Sequence, residues 1–216
     1  MNIALGLLGG SFDPIHAGHL ALARAARDGL QLAELLLIPA AQPWQKDELT
    51  PAEHRARMVE LAIAGEPRMR LERCELDRGG SSYTIDTLRE LRARFGPQTP
   101  LVLVIGADQM ERFDTWHDWQ SILQFAHLGV ARRNDAVLVL SYELQDFYNR
   151  HWSRREDFSS AAAGCVVEID MVPHDVSATE ARALLGAPRS AAGDARLAQV
   201  VPATVLDYIR AHSLYT

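Results

Sequence analysis

Gly9-Gly10-Ser11-Phe12-Asp13-Pro14-Ile15-His16-Ala17-Gly18-His19 is the stretch on which the reading of this chain turns. Residues 3–8 before it form a short, almost wholly apolar run, the pattern of a buried strand in a parallel sheet. Residues 20–30 after it place Leu20, Ala23 and Ala26/Arg27 at three- and four-residue intervals without proline, as a helix does. A strand, a glycine-rich turn and a helix start make a place to hold an anion. The turn exposes backbone N–H groups, and the helix dipole adds partial positive charge.

With a helix beginning near Ala17 or Gly18, His16 and His19 stand at its mouth, three residues apart and on one side. Imidazole donates one hydrogen bond when neutral and two as a cation, so both rings suit phosphate oxygens. Gly18 lets a ligand approach the backbone, Pro14 stiffens the turn, and Asp13 either orients an imidazole or caps the helix. Other chemistries fit the stretch less well. A zinc site wants a third ligand, and the metalloprotease pattern sets its histidines four apart with a glutamate between them. A glycine pair alone marks only a tight turn. The spacing also departs from the G-x-G-x-x-G fingerprint and from the Walker loop. Taken together on a strand–turn–helix, the residues read as a phosphate site.

At 216 residues the chain suits one α/β domain spanning 1–216, with a helical C-terminal part from about residue 177. It is 48% hydrophobic and 23% charged, ordinary for a globular protein. No apolar run approaches the ~20 residues that span a membrane, and the N-terminus lacks the basic start of a secretory signal. Cys74 and Cys165 form no framework or metal pattern, so the expected compartment is the reducing cytoplasm, with each cysteine a structural thiol. A net charge of −6 argues against a nucleic-acid polymer as partner. It leaves room for a small anionic substrate, which needs only a few local cations.

Along the chain, residues 35–38 read as a second strand, followed by a loop from 40 to 50 that carries Lys46. A helix is expected over 51–64, a short strand over 69–72 and, through 74–76, a lead into a polar turn. Residues 84–95 are amphipathic, with Ser82 or Thr84 the expected N-cap. Residues 101–105 are the strongest strand, and 127–131 another. Within 134–164, residues 137–140 suggest a strand and 142–152 a helix, in an extended excursion. A strand over 166–172, a helix opened by the capping box Ser177-Ala178-Thr179-Glu180, a Gly/Pro/Ala/Ser linker and a closing helix over 203–211 complete the chain. Strands alternating with helices imply a single doubly wound, Rossmann-like parallel sheet, in which ligands bind beyond the carboxyl ends of the strands.

Two motifs carry a resemblance to a known superfamily. Gly10, Phe12, Asp13, Pro14, His16, Gly18 and His19 match the G-x-F-D-P-x-H-x-G-H signature of the nucleotidyltransferases, whose HxGH histidines bind a nucleotide triphosphate. Val176-Ser177-Ala178-Thr179-Glu180-Ala181-Arg182 resembles the superfamily's ISSTxxR signature, with Ala178 in place of the second serine. On its own, such a segment is a helix start with a solvated arginine. Beside the first motif it offers N–H groups, a hydroxyl and a planar guanidinium to phosphate.

The segments between, Ser82-Tyr83-Thr84, Ile105 to Asp108, Thr115-Trp116 and Ala131-Arg132-Arg133, with the end from Val205 to Tyr215, resemble the bacterial nicotinate-nucleotide adenylyltransferase family over nearly the full chain. The resemblance implies that ATP adenylylates nicotinate mononucleotide, with Mg²⁺ carried on the triphosphate. His16, His19, Lys46 and Arg182 would be catalytic. Gly9, Gly10, Ser11, Phe12, Gly18, Gly106, Asp108, Ser177 and Thr179 would join them around ATP, and Asp108 suits ribose hydroxyls. Ser11, Lys46, Tyr83, Thr84, Asp108, Trp116 and Arg133 would hold the mononucleotide. Trp116 suits a flat electron-poor ring, and the helix start at Thr84 suits a carboxylate. The alternatives are a core tryptophan and a plain cap, and for Lys46 and Arg133 a solvated charge. Phosphopantetheine adenylyltransferases share the outer motifs but typically carry threonine at the position of His16 in a shorter chain. A metal-dependent hydrolase and a non-catalytic nucleotide sensor are the rivals from other classes. Oligomeric state is left open.

Overall fold

A computed structural model of the chain describes residues 4–43, 49–132, 138–172 and 174–215. In chain order the elements are β1 (Leu5–Gly10), α1 (Ala17–Gly29), β2 (Glu34–Pro39), the two-residue β3 (Gln42–Pro43), α2 (Ala52–Ile63) and β4 (Met69–Leu71). Next come α3 (Cys74–Arg78), the two-residue β5 (Ser81–Ser82), α4 (Thr84–Phe95), β6 (Leu101–Gly106) and the single-turn α5 (Ala107–Met110). After 3-10 turns at Phe113–Thr115 and Trp119–Gln124 follow β7 (His127–Arg132), α6 (Tyr142–His151), β8 (Val166–Asp170), α7 (Ala178–Gly186), α8 (Ala191–Val200) and α9 (Ala203–Ala211).

Six strands form one sheet in the order β4-β2-β1-β6-β7-β8, and every pairing is parallel. Counted within this sheet alone the order is 3-2-1-4-5-6, the doubly wound arrangement, with its reversal between β1 and β6. The near-continuous apolar strands follow from burial on both faces. Leu8, Leu35, Leu37, Val102, Val104, Val167 and Ile169 face a layer built by α1, α2 and the C-terminal helices. Leu7, Leu36, Leu103, Ile105, Leu128 and Val130 face α4, α6 and the 3-10 turns.

Several expectations need correcting. Residues 74–76 lead into a helix, not directly into a turn. Five residues are too few to show a period, but Glu75 and Asp77 in the first turn and Arg78 in the last suit the helix dipole. The N-cap of α4 is Tyr83, in extended conformation, and neither Ser82 nor Thr84. The Gly/Pro/Ala/Ser stretch read as a linker holds α8. Ser190 caps it by accepting from Gly193 N–H at 3.1 Å, and Leu197 and Val200 are its buried anchors. Small residues hid a helix of low amphipathicity. Residues 138–140 are irregular, and the helix expected over 142–152 is α6. Both cysteines are free, and burial pushes the Cys74 thiol up to about 12, as an inert core thiol.

Candidate active site

The pairing record locates a cleft. β1 and β6 pair only through Leu5↔Leu101, Gly6↔Val102 and Leu7↔Leu103. Beyond that level β1 stays paired with β2 to Gly10↔Pro39, and β6 with β7 to Gly106↔Ala131. The sheet therefore splits at its switch point, with Gly9 and Gly10 on one lip and Gly106 on the other. That is where a doubly wound sheet takes its ligand.

On the first lip the motif's glycines have specific reasons. A Cβ on Gly10 would meet the Phe12 ring at 3.2 Å, and Phe12, at φ 47° and wholly buried, anchors the turn in the core. A Cβ on Gly18 would meet the His16 ring at 3.1 Å and Val176 at 3.0 Å. G-x-F and H-x-G-H are thus packing statements as much as ligand statements. His16 is the N-cap of α1, and its ring stacks on His19 with centroids 3.7 Å apart. His16 N–H donates to His19 Nδ1 at 3.2 Å, so in the neutral ring the proton sits on Nε2. The Phe12 ring meets His19 edge-on at 5.0 Å. No acidic residue stands in the first turn of α1.

The second motif abuts the first, since Val176 lies against Gly18. Ser177 caps α7 by accepting from Glu180 N–H at 3.1 Å. Arg182 donates Nη1 to the Asp13 carbonyl at 2.7 Å and Nη2 to Thr179 Oγ1 at 3.4 Å. Two helix N-termini and a guanidinium converge beside the split.

Sequence reasoning missed the residue that ties this lip together. Arg55, 1% exposed on α2, donates to the carbonyls of Ser11 (2.8 Å), Ala41 (3.0 Å) and Thr50 (2.8 Å). Burial lowers its pKa, against the pull of Asp13. The one available signal was an arginine at an otherwise buried helix position. Its neighbours extend the frame. Ala40 N–H donates to the Gly10 carbonyl at 2.9 Å, and Ala41 N–H to Ser82 Oγ at 2.9 Å. Buried Glu75, its pKa raised by desolvation, accepts from Thr87 Oγ1 at 2.7 Å.

Beyond Ser82 comes a second cluster. Tyr83 stacks at a tilt on His117, 4.6 Å between centroids, which brings the start of α4 to the turn that carries Trp116. Trp116 is half-buried, leans on Phe113 at 5.4 Å, and its Nε1 is buried with no hydrogen-bond partner among the described residues. Thr84 is the first residue of α4. Asp108 sits in α5 rather than at a strand end, exposed, with Oδ1 2.6 Å from where a Gly106 Cβ would stand. His117 gave no signal in the sequence. Lys46 and Arg133 lie outside the described residues.

Residues 7–183 match the cytidylyltransferase-like family. The chain is 43% identical to a "probable nicotinate-nucleotide adenylyltransferase" of Bordetella petrii over 98% of both chains. It is 42% identical to one of Laribacter hongkongensis, over 99% of this chain and 95% of the relative. The chain belongs to the nicotinate-nucleotide adenylyltransferase family. Among solved structures, a Plasmodium falciparum nicotinic acid mononucleotide adenylyltransferase complexed with NaAD superposes with a TM-score of 0.76, covering 98% of this chain and 97% of that one. At 17% identity that likeness speaks for the fold. Among the described residues of this family member, no helix is long and apolar enough to cross a membrane, and no group of three or more His, Cys, Asp or Glu could hold a metal.

Proposed function

We propose that the chain transfers the adenylyl group of ATP to nicotinate mononucleotide, forming nicotinate adenine dinucleotide and pyrophosphate. The observation that carries the reading is the split between β1 and β6, flanked by the two motif helices on one lip and by the Tyr83–His117–Trp116 cluster beyond it. The 5′-phosphate oxygen of the mononucleotide attacks the α-phosphorus of ATP. A new P–O bond forms as the bond to the β-phosphate oxygen breaks, and pyrophosphate leaves with the electron pair. The nucleophile is anionic at neutral pH, so no general base is needed. What remains for the protein is to align two anions and stabilise charge on the leaving group.

His16 and His19 contact triphosphate oxygens, with His19 donating through Nε2–H, a tautomer fixed by the bond at its Nδ1. The α1 N-terminus and the glycine turn supply N–H donors around Gly9, Gly10, Ser11 and Gly18, and Ser177, Thr179 and Arg182 close on the phosphates from α7. Lys46 and Arg133 add positive charge for the phosphate groups. Asp108 takes ribose hydroxyls. Trp116 stacks on the pyridine ring, Tyr83 lines it, and the helix start at Thr84 faces the carboxylate. Mg²⁺ enters as the ATP complex and offsets triphosphate charge. We place the reaction in the cytoplasm, a reading supported by the two free thiols.

The test is pyrophosphate release with ATP and Mg²⁺, offered nicotinate mononucleotide, nicotinamide mononucleotide or phosphopantetheine in parallel. A clear preference for the first is expected. Preference for phosphopantetheine would overturn the roles of Thr84 and Trp116 and keep the phosphate site. ATP binding without turnover on any acceptor would leave a sensor.

A further inference from the structure

The end of the chain folds back onto the phosphate turn. Tyr215, 202 residues beyond Asp13, donates its hydroxyl to Asp13 Oδ1 at 2.5 Å. We infer that Tyr215 is a positioning residue for Arg182: by holding the Asp13 carboxylate it keeps that anion off the guanidinium and leaves the charge of Arg182 for the substrate phosphates. The inference rests on the proposed role of Arg182 toward ATP.

The argument starts from Asp13, a carboxylate only 2% exposed. A buried anion takes whatever donors it can reach, and the strongest are guanidinium groups. Arg182 is within reach, because it already donates to the carbonyl of the same residue at 2.7 Å. Yet the carboxylate is served by neutral donors, Tyr215 O–H on Oδ1 and Thr50 N–H 3.5 Å from Oδ2. Burial, then the bond to Asp13, pushes the Tyr215 hydroxyl well above its usual range, so it stays a donor. The other nearby carboxylate is diverted as well. Glu180, two residues before Arg182, is gripped by Arg196 at 2.7 and 3.2 Å. Among the described residues Arg182 therefore makes no ion pair, and donates instead to a carbonyl and a hydroxyl. Ser213 at φ 49° and Tyr215 at φ 64° hold the left-handed conformation that non-glycine residues avoid. Backbone strain of that kind persists when a contact over-determines it, and the Tyr215–Asp13 bond is such a contact.

The experiment is Tyr215→Phe in the full chain, which keeps the packed ring and removes one oxygen. With Asp13 free to pair with Arg182, kcat/KM for ATP should fall roughly tenfold, short of the ~10² of a full ångström of misplacement. KM for nicotinate mononucleotide should stay put. In an Arg182→Ala background Y215F should add nothing, because the two act on one interaction. Adding Asp13→Asn to Y215F removes the competing anion and should restore ATP affinity toward wild type. Because Asp13 also offsets the burial of Arg55, D13N alone serves as the control for any loss that passes through Arg55. If Y215F alone does not fold, ATP binding by D13N/Y215F against D13N still reads the hydroxyl. A Y215F protein that melts earlier but keeps wild-type ATP kinetics overturns the inference, as does full additivity with R182A or failure of D13N to relieve the defect. Calorimetric ATP binding by the same variants reads the charge of Arg182 without turnover. Wild-type protein that binds ATP and releases no pyrophosphate breaks the proposed function and leaves this inference standing or falling on the binding data.

Discussion

The two ends of the cleft are built in different ways. At the end proposed for phosphate, near neighbours in sequence set the turn: Gly10 makes room for Phe12, Gly18 for His16, and His16 N–H fixes the tautomer of His19, with Val176 and Arg55 bracing it from afar. At the end proposed for the pyridine ring, Tyr83 before α4 meets His117 by ring packing, Trp116 beside it leans on Phe113, and Asp108 stands on α5. Phosphate asks for dipoles and N–H groups, which a backbone supplies once its path is set. A ring with a carboxylate asks for a shaped surface, which only side chains from several elements make. The first end should therefore govern rate, and the second the choice of acceptor.

The largest expected effect tests that division directly. On the proposed role of His19, His19→Ala removes a donor to the triphosphate and should lower kcat by about 10²–10³. It also strips His16 N–H of an acceptor, costing about 1 kcal/mol of helix-start stability. Steady-state kinetics beside a melting curve separates the two. A near-normal kcat would end the assignment of His19 and with it the contrast between the ends.

Trp116→Ala should act on the other side of the division. Loss of a stacking face worth about 1–3 kcal/mol should raise KM for nicotinate mononucleotide roughly tenfold and leave kcat within a few-fold. Because Trp116 also leans on Phe113, some stability goes too. If kcat fell as far as in H19A, the pyridine end would be aligning the reaction rather than selecting the acceptor.

The same contrast explains what the sequence disclosed. Residues 9–19 and 177–182 are each one contiguous run, a strand–turn–helix and a helix start, so both read locally, and the structure brings them side by side through Gly18 and Val176. Helix α4 was legible to the residue, because Ile85, Leu88 and Leu91 recur at three-residue steps. Arg55 and Tyr215 were not legible. The bonds of Arg55 go to carbonyls up to 44 residues away, and that of Tyr215 to a carboxylate 202 away, so no local pattern marks either. Helix α8 and the five residues of α3 were lost to small size and shortness, and His117 to being one polar residue in a turn. A stability effect at acid pH has an equally hidden source, His127. It is wholly buried on β7, accepts from Cys165 N–H at Nδ1 (3.1 Å) and bonds the Ala161 carbonyl through Nε2 (3.0 Å), hence neutral. Desolvation lowers its pKa below the usual 6.5, so the unfolded chain binds the proton first. Stability is then full above pH 6.5 and falls below it, by up to ~1.4 kcal/mol per pH unit. Melting curves across that range, with His127→Gln flattening the slope, check this.

The smallest effect separates scaffold from ligand contact at the phosphate end itself. Ser177 Oγ accepts from Glu180 N–H as the cap of α7, which leaves its O–H for the phosphate contact proposed above. Ser177→Ala loses both. The cap is worth about 1 kcal/mol, and for a chain of this size that shifts the melting temperature by about 2–4 °C. Ser177→Thr keeps the oxygen and should recover the melting temperature. If ATP affinity recovers with it, the hydroxyl touches the nucleotide. If S177A binds ATP as wild type does, Ser177 serves the helix alone, and the phosphate end is still more a matter of backbone than the comparison above holds.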